Sequence, residues 1–257
     1  MVKKLLTFRK SVAERKILVT GGGAGIGQEC VSKCLSEGAT VAVLDRKLDK
    51  LEKNLEKDVS INSTVLVEVD ISVGEQVCRG VQQAAQELGG LDGVVNSAGI
   101  DLVSEFDDMN WDDWSKVLDV NLTGAIHVCQ QALPYLRLNR SSSIVNIASG
   151  AGLVPIQNRV AYCASKAGLI MASKSLAMDL ASSDIRVNAV CPGAVDTGLF
   201  RQNIRDESDL EQVKSRYAMN RIGKVSEIAD VVVFLLSDEA SLITGSALAV
   251  DGGRVFH

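Results

Sequence analysis

The segment TGGGAGIG, residues 20–27, links a strand pattern to a helix pattern and is the clearest indication of the fold. Three of its five glycines, at positions 21, 25 and 27, form a G-x3-G-x-G spacing that differs from the ordinary G-x-G-x-x-G dinucleotide motif. Glycine permits a tight turn and a close backbone approach, and the N-terminus of the following helix offers unpaired N–H groups to a pyrophosphate. Taken alone, the segment also fits a glycine-rich turn that binds no ligand.

On both sides of this junction, short β-branched runs alternate with stretches long enough for crossover helices. Fully buried parallel strands have this composition, and right-handed βαβ units assemble them into an open sheet. The predicted strands are residues 16–20, 40–45, 64–70, 91–99, 143–149, 185–193 and 247–253, and the predicted helices are residues 26–37, 74–88, 112–137, 161–182 and 225–237. The pattern predicts an α/β fold, a doubly wound and mostly parallel sheet (Rossmann fold) with helices on both faces. We expect one domain over residues 16–257, preceded by a surface extension at residues 1–15.

Composition and charge exclude several classes of function. With 27 basic and 32 acidic residues among 257, and a formal net charge of −5, the chain is not expected to bind nucleic acid. The longest apolar run near the C-terminus, VVVFLL at 231–236, is too short to cross a bilayer, so we expect a soluble protein without a membrane partner. His127 and His257 lie at no metal-ligand spacing, which predicts no metal site.

Cysteine usage and the N-terminus bear on the compartment. None of the six cysteines forms a Cys-x-x-Cys pair, and the chain is too large to need disulfide bonds, which indicates free thiols in a reducing compartment. We therefore expect a cytoplasmic protein. The basic character of residues 1–15 leaves a short mitochondrial presequence as the alternative.

An acidic residue at the end of the second predicted strand indicates which dinucleotide the fold would bind. Asp45 lies eighteen residues beyond Gly27, close to the offset expected for an acid that accepts hydrogen bonds from the adenosine ribose. Its charge would repel a 2′-phosphate, and Ala24 supplies no positive charge there, so the sequence favours NAD over NADP. Arg46 is the contrary indication, because an arginine beside Asp45 could reach a 2′-phosphate; its alternative is a solvated surface arginine.

A tyrosine and a lysine four residues apart, Tyr162 and Lys166, are the first candidates for chemistry. On a helix this spacing puts both side chains on one face, where the ammonium would lower the pKa of the phenol from its ordinary value of about 10. The pair alone also fits the exposed surface of a helix. Ser149 ends a predicted strand thirteen residues earlier, at the sheet edge where ligands bind. Its hydroxyl would hold a carbonyl oxygen or cap the following turn.

Six short segments in this order resemble the motifs of the short-chain dehydrogenase/reductase family. They are TGGGAGIG at 20–27, NSAG at 96–99, VNLTG at 120–124, Ser149, YCASK at 162–166 and CPG at 191–193. The resemblance spans essentially all of the chain beyond residue 15, and the ordered set is specific although each segment alone is not. Two departures, Ser97 for the usual second asparagine and Ala148 for the usual serine, leave every catalytic position intact.

The resemblance implies four catalytic residues. Tyr162 would be the general acid or base, and Lys166 would tune it and bind the nicotinamide ribose. Ser149 would orient the substrate oxygen, and Asn121 would hold a water that relays protons, unless it only binds the backbone. Asn96 also fits a structural role. The implied contacts of an NAD cofactor are Gly21, Gly25, Ile26, Gly27, Asp45, Asp70, Ile71, Asn96, Gly99, Tyr162, Lys166, Pro192, Gly193, Val195 and Thr197.

The same resemblance implies hydride transfer between NAD(H) and a secondary alcohol or ketone. The Tyr162–Lys166 spacing favours carbonyl chemistry, because enoyl reductases of the family generally have a wider gap. The alternatives are a 3-oxoacyl-thioester (acyl carrier protein) reductase, a sugar or steroid alcohol dehydrogenase and, in another class, a catalytically silent dinucleotide-sensing protein. The family also implies a homo-oligomer, a dimer or a tetramer. Residues 196–222 are predicted to form a mobile lid over the site, or else an ordinary exposed pair of helices.

Arg159, three residues before Tyr162, points to a class of substrate. At the start of the catalytic helix, its guanidinium would suit a substrate carboxylate through paired hydrogen bonds. Some short-chain 3-hydroxybutyrate dehydrogenases resemble this chain in having an arginine there, which favours a small hydroxy acid or its keto form. Arg201 and Arg205 in the lid are only loosely placed to assist, and the alternative is a surface arginine beside a neutral substrate.

Overall fold

A seven-stranded sheet forms the centre of the protein, in a computed structural model that describes residues 11–49, 51–52 and 63–255. The strands are β1 Lys16–Thr20, β2 Thr40–Asp45, β3 Thr64–Glu68, β4 Gly93–Asn96, β5 Ser142–Ile147, β6 Ile185–Pro192 and β7 Ala247–Val250. They lie in the order β3-β2-β1-β4-β5-β6-β7, and each pairing is parallel. The predicted doubly wound sheet is confirmed.

Helices cover both faces of this sheet. They are α1 Gly25–Ser36, α2 Gly74–Leu88, α3 Trp111–Leu118, α4 Ala125–Leu136, α5 Val160–Leu180, α6 Gly198–Arg201, α7 Glu207–Lys214 and α8 Val225–Leu236. α1 and α8 pack together on one face, and α2 and α4 pack together on the other. In the part of the chain that the structure describes, no helix combines the length and the apolar character needed to span a membrane.

One predicted helix, residues 112–137, is interrupted by a π-helical turn. This turn, Asp119–Gly124, separates α3 from α4. A Cβ at Gly124 would lie 2.5 Å from the carbonyl oxygen of Ile71, so only a residue without a side chain lets the turn approach the loop after β3. π turns often occur at functional sites, and this one contains Asn121.

Alternation along β1 builds two hydrophobic cores, one on each face. Ile17 and Val19 belong to the core beneath α1 and α8, whereas Leu18 belongs to the core beneath α2 and α4. All three side chains are fully buried, and each such burial stabilises the fold by about 1.5–3 kcal/mol. Because both faces are covered, β5 and β6 are buried along their whole length.

The residues just before β1 pack against the domain. Val12 is fully buried in the same core as α1. The guanidinium of Arg15 donates a 3.0 Å hydrogen bond to the carbonyl oxygen of Ser141 and pairs with Asp238. Of the predicted surface extension, Val12 and Arg15 pack against the domain, whereas Ala13 and Glu14 are exposed. Residues 1–10 of that extension, with most of the suggested presequence, and His257 lie outside the described residues.

The strand order determines where a ligand can bind. β1 and β4 are neighbours, and the helices that follow them pack on opposite faces, which opens a crevice at their carboxyl ends. The segments predicted to contain functional residues follow β1, β4, β5 and β6. The sheet therefore brings residues that are distant in sequence to one edge.

Candidate active site

A cleft of about 540 Å³ lies at the carboxyl ends of the strands and contains most of the predicted site residues. Those that line it are Gly21, Gly25, Ile26, Asp45, Asp70, Ile71, Gly99, Ser149, Arg159, Tyr162, Lys166, Pro192, Gly193, Val195 and Thr197. The other three, Gly27, Asn96 and Asn121, are buried behind this lining.

The loop between β1 and α1 leaves room for a ligand to approach the backbone. Gly21 adopts a φ of +68°, and a Cβ there would lie 2.5 Å from the backbone nitrogen of Ala98. A Cβ at Gly27 would lie 2.2 Å from the carbonyl oxygen of Gly21, so Gly27 is needed for packing. Gly25, with a φ of +56°, begins α1 and leaves its N-terminus unobstructed by a side chain. The backbone N–H groups at the N-terminus of α1 are therefore accessible and fit the pyrophosphate of a dinucleotide.

Two backbone N–H groups hold the carboxylate of Asp45 at the end of β2. The N–H of Gly23 donates to Oδ2 at 2.9 Å, and the N–H of Lys47 donates to Oδ1 at 3.0 Å. A carboxylate offers about four lone-pair positions, so Asp45 keeps acceptors for a ligand in the cleft that it lines. The site therefore fits the ribose hydroxyls of an adenosine.

Arg46, the residue that could favour NADP, has an acidic neighbour. Its guanidinium lies 3.6 Å from Asp70 Oδ2, although the Arg46 side chain is 56% exposed. Burial raises the pKa of Asp70, but hydrogen bonds from Ser72 and the charge of Arg46 outweigh that effect and lower the pKa below its ordinary value. Asp70 is therefore an anion that attracts Arg46 at this end of the cleft.

Tyr162 and Lys166 lie on one face of α5, with Lys166 Nζ 5.8 Å from the centre of the Tyr162 ring. Lys166 is buried, and Nζ donates a 2.9 Å hydrogen bond to the carbonyl oxygen of Ile147 at the end of β5. Two residues further on, Ser149 Oγ accepts the backbone N–H of Ala151 at 3.1 Å. The Ser149 hydroxyl and the Tyr162 phenol line the same cleft, and the hydroxyl lowers the pKa of the phenol. Ser149 therefore caps the following turn, which was one of the two roles considered from the sequence, and it also borders the phenol.

Burial determines the protonation of both groups. Although Tyr162 borders the open cleft, burial raises its pKa to about 12, and the hydrogen bond to Ser149 opposes this only in part. Burial lowers the pKa of Lys166 to about 8, against the attraction of nearby acidic groups. The lowering of the Tyr162 pKa expected from Lys166 is outweighed in the protein by itself, because desolvation disfavours the phenolate more strongly. At neutral pH the pair is a protonated phenol beside an ammonium.

Asn121 is fully buried in the π turn and connects several parts of the site. Its Oδ1 accepts the N–H of Ile100 at 2.8 Å, and its Nδ2 donates to the carbonyl oxygen of Ile100 at 2.9 Å and to Ser165 Oγ at 3.1 Å. Ser165 Oγ donates in turn to the carbonyl oxygen of Tyr162 at 2.8 Å. These bonds occupy both donors of the amide and leave one acceptor position on Oδ1. Asn121 thus positions the backbone, and the water-binding role stays a prediction.

Asn96 belongs to a buried hydrogen-bond network between strands and helices. Its Nδ2 donates to Asn146 Oδ1 at 2.9 Å and to the carbonyl oxygen of Ala125 at 3.2 Å. Asn146 Nδ2 donates to Ser173 Oγ at 2.8 Å, which extends the network from β4 through β5 to α5. These contacts support the structural role of Asn96 that the sequence left open.

Arg159 lines the cleft but already has an acidic partner. Its guanidinium pairs with Asp101 Oδ2, and the Asp101 side chain is only 6% exposed. Asn203, from the predicted lid, donates to the same oxygen at 3.2 Å. Burial raises the pKa of Asp101, and the charge of Arg159 opposes that rise. Sequence reasoning missed Asp101, for which the available signal was an acid directly after the segment NSAGI.

The predicted lid, residues 196–222, contains α6 and α7 and forms one wall of the cleft. Tyr217 Oη accepts the N–H of Ala194 at 2.9 Å, which fastens the far end of this segment to the loop after β6. The mobility of the segment stays a prediction. Its residues that line the cleft are Thr197, Gly198, Leu199, Phe200, Gln202, Val213, Arg216 and Tyr217.

Known proteins resemble this chain in sequence and in fold over nearly its whole length. A family model described as enoyl-(acyl carrier protein) reductase matches residues 21–254. The chain is 37% identical over 243 residues to 2-(S)-hydroxypropyl-CoM dehydrogenase 3 of Xanthobacter autotrophicus, covering 92% of this chain and 95% of that protein. It is 36% identical over 239 residues to a 3-oxoacyl-[acyl-carrier-protein] reductase of Thermotoga maritima, covering 93% and 96%. The ligand-free aldohexose dehydrogenase of Thermoplasma acidophilum superposes with a TM-score of 0.88 at 33% identity, over 96% of each chain.

Proposed function

The chain belongs to the short-chain dehydrogenase/reductase family, and we propose that it transfers a hydride between NAD(H) and a secondary alcohol or its ketone. The relatives named as dehydrogenases and as a 3-oxoacyl reductase support an oxidoreductase that acts on a CH–OH group and uses a nicotinamide dinucleotide. The observation that carries the proposal is the arrangement of Ser149, Tyr162 and Lys166 in one cleft, with a protonated phenol beside the serine hydroxyl.

Each side chain has a defined task in this proposal. The dinucleotide supplies or accepts the hydride when it is bound. Ser149 Oγ holds the substrate oxygen, while Tyr162 Oη donates a proton to that oxygen during reduction or accepts one during oxidation. A positioned proton donor or acceptor contributes about 10² to 10⁴ in rate. The buried ammonium of Lys166 stabilises the phenolate that is left after the proton has been donated.

The protonation state of the pair suits the proton transfer of a reduction. With its pKa raised to about 12 by burial, Tyr162 holds the proton that a carbonyl oxygen requires during reduction. Alcohol oxidation requires the phenolate, which is scarce below that pKa.

NAD is the dinucleotide that the charges in the cleft favour. Asp45 offers acceptors for the ribose hydroxyls and would repel a 2′-phosphate. Arg46, the cation that could attract such a phosphate, lies against Asp70 instead. Both observations favour NAD(H) in the proposed reaction.

The ion pair between Arg159 and Asp101 bears on the class of substrate. A substrate carboxylate that approached Arg159 would also meet the negative charge of Asp101, so Arg159 is a poor site for a small hydroxy acid. A substrate such as 3-hydroxybutyrate would need a different cation in the cleft. The acyl carrier protein and sugar substrates in the names of the relatives remain the alternatives.

A screen with the reduced dinucleotide as the readout tests the proposed function. The protein is mixed with NADH and a panel of ketones, keto acids and 3-oxoacyl thioesters, and with NAD⁺ and a panel of alcohols, hydroxy acids and sugars. We expect turnover of at least one pair of secondary alcohol and ketone. Tyr162→Phe should lower that turnover by about 10² or more, because it removes the proton donor and keeps the ring.

Binding of NADH, measured by fluorescence titration, is the folding control and should be the same in the variant and the native protein. Near-native turnover in Tyr162→Phe would contradict the role of Tyr162. Tight binding of NADH without turnover of any compound would contradict the enzymatic proposal and support a dinucleotide-sensing protein.

A further inference from the structure

Two arginines in the cleft, Arg216 and Arg254, have no acidic partner among the described residues, and their side chains make no hydrogen bond there. Arg216 is exposed at the end of the lid, and Arg254 is half-buried near the C-terminus. The other arginines of this region are neutralised, Arg159 by Asp101, Arg201 by Asp196, Arg205 by Asp209 and Arg221 by Glu227. The lid arginines considered from the sequence, Arg201 and Arg205, are therefore not free to bind an anion.

Arg254 lies beside the loop that contains Ser149. A Cβ at Gly150, the residue after Ser149, would lie 3.6 Å from Val255 Cγ1, so the turn with Arg254 contacts this loop. The carboxylate of Asp251 accepts two backbone N–H groups of the turn, including that of Val255 at 2.9 Å. Asp251 therefore shapes the turn and forms no ion pair with Arg254 within the described part of the chain.

Arg216 reaches the same end of the cleft from the lid. The next residue, Tyr217, accepts the N–H of Ala194, and its ring packs so closely on the loop after β6 that a Cβ at Gly193 would lie 2.7 Å from Cε1. Burial and the charge of Asp251 raise the pKa of Tyr217, whereas the hydrogen bond with the N–H of Ala194 and the charges of Arg254 and Arg216 lower it. Arg216, Tyr217 and Arg254 all line the cleft, so both guanidinium groups border the same space.

We propose that Arg216 and Arg254 form a subsite for an acidic group of the substrate. The inference rests on the proposed function, because the reacting carbon then lies between this subsite and Tyr162. Guanidinium groups bind carboxylates and sulfonates through paired, charge-assisted hydrogen bonds. The substrate class is a hydroxy acid or keto acid whose acidic group is remote from the carbon that exchanges the hydride.

Matched acids and amides test this subsite. Native protein and NAD⁺ are combined with 3-hydroxybutanoate, 4-hydroxypentanoate or 5-hydroxyhexanoate, each beside its primary amide, and with the sulfonate analogue of the best acid. We expect one acid to exceed its amide by about tenfold or more in kcat/KM, mainly through KM, as for one charge-assisted contact. In the double variant Arg216→Gln/Arg254→Gln, the ratio of acid to amide should approach one.

The matched control is Arg205→Gln, which removes the same charge from a lid arginine that pairs with Asp209. Its ratio of acid to amide should equal that of the native protein. NADH binding, measured by fluorescence titration, should be unchanged in all variants if they fold. A double variant that binds NADH about tenfold more weakly and keeps its preference for acids would assign the two arginines to the dinucleotide and overturn the proposal.

Calorimetry in the presence of NADH tests whether the subsite binds an acidic group, without requiring turnover. Butanoate, pentanoate and hexanoate are compared with their amides, and at least one acid should bind the native protein more tightly and lose that advantage in the double variant. If this occurs while no alcohol is oxidised, the subsite is supported and the proposed function alone fails. Equal binding of acids and amides, or an unchanged ratio in the double variant, overturns the subsite.

Discussion

Lys166 is a cation with only 4% of its surface exposed, and stability and activity place opposite demands on it. Burial lowers its pKa to about 8. Relative to about 10.4 in short peptides, that value corresponds to about 3 kcal/mol of unfavourable free energy for the buried ammonium. Because the folded pKa is below the unfolded one, this cost is complete below pH 8 and disappears as the pH rises to about 10.4.

Replacing Lys166 with Met should abolish turnover and change stability in a manner that depends on pH. The unfolding free energy of the variant minus that of the native protein should fall by up to about 3 kcal/mol between pH 7 and 10.4. The native protein becomes more stable over this range because the buried ammonium loses its proton, whereas the variant has no such group. The lost hydrogen bond to Ile147 adds an offset that is independent of pH. Urea unfolding at several pH values measures the difference. The control Lys116→Met, an exposed residue of α3, should show no such trend.

The carboxylate of Asp45 should determine the choice of dinucleotide. We expect the native protein to prefer NAD(H) over NADP(H), and Asp45→Ser should reduce the ratio of the two kcat/KM values by about tenfold or more, because the charge that repels a 2′-phosphate is removed. Arg46→Ala is the comparison, and it should leave the ratio nearly unchanged since Arg46 lies against Asp70. Equal use of both dinucleotides by the native protein, with a gain in the ratio in Arg46→Ala, would show that Arg46 binds the phosphate instead.

Among the elements, the π turn between α3 and α4 connects packing most directly to the site. It holds Asn121, whose amide contacts both the N–H and the carbonyl of Ile100. Gly124 ends the turn and allows it to approach the loop after β3, where Ile71 lines the cleft. The wider turn therefore depends on a residue without a side chain.

Gly124→Ala should displace this turn. A Cβ would lie 2.5 Å from the carbonyl oxygen of Ile71, so we expect a loss of about 1–3 kcal/mol in unfolding free energy together with a lower kcat. Urea unfolding and steady-state kinetics measure the two effects. Gly198→Ala is the control for stability, because nothing lies within 4 Å of a Cβ there. A Gly124→Ala variant as stable and active as the native protein would contradict the link between the turn and the site.

At the scale of the whole molecule, α5 has apolar residues on its outer side as well as on its inner side. Val160, Met171 and Met178 are 45%, 63% and 83% exposed, whereas Leu169 and Ile170 are buried. A helix that is apolar on both sides is typical of a buried helix. We expect two copies of the chain to pair through this outer side of α5, in keeping with the homo-oligomer implied by the family resemblance.

The double variant Met171→Glu/Met178→Glu should therefore dissociate the oligomer. Both side chains point away from the core, so the fold should be retained while four like charges are placed in each symmetric contact. Light scattering coupled to size-exclusion chromatography measures the mass of the native and variant proteins. Leu138→Glu, at a residue that is 80% exposed outside α5, is the control and should not change the mass. A native protein that is monomeric would contradict the expectation.

The sheet, most of the helices and most of the residues that line the cleft could be predicted from the sequence. β1, β2 and α2 begin and end where they were predicted, because a strand buried on both faces is a continuous apolar run and an amphipathic helix repeats along the chain. The placement of Tyr162 and Lys166 on one side of α5 could be predicted because residues four apart share one face of a helix. The position of Ser149 at the cleft could be predicted because the carboxyl ends of parallel strands meet at one edge.

The ion pairs and the burial of these residues could be read only from the tertiary structure. Asp101 neutralises Arg159 across 58 residues of sequence, and burial raises the pKa of Tyr162 against the expected influence of Lys166. The break in residues 112–137 likewise depends on a contact between Gly124 and the loop after β3. Periodicity and motif spacing are properties of neighbouring residues in the chain, and the sequence displays them. Ion pairing and desolvation are sums over neighbours in space, which exist only after the sheet and its loops have assembled.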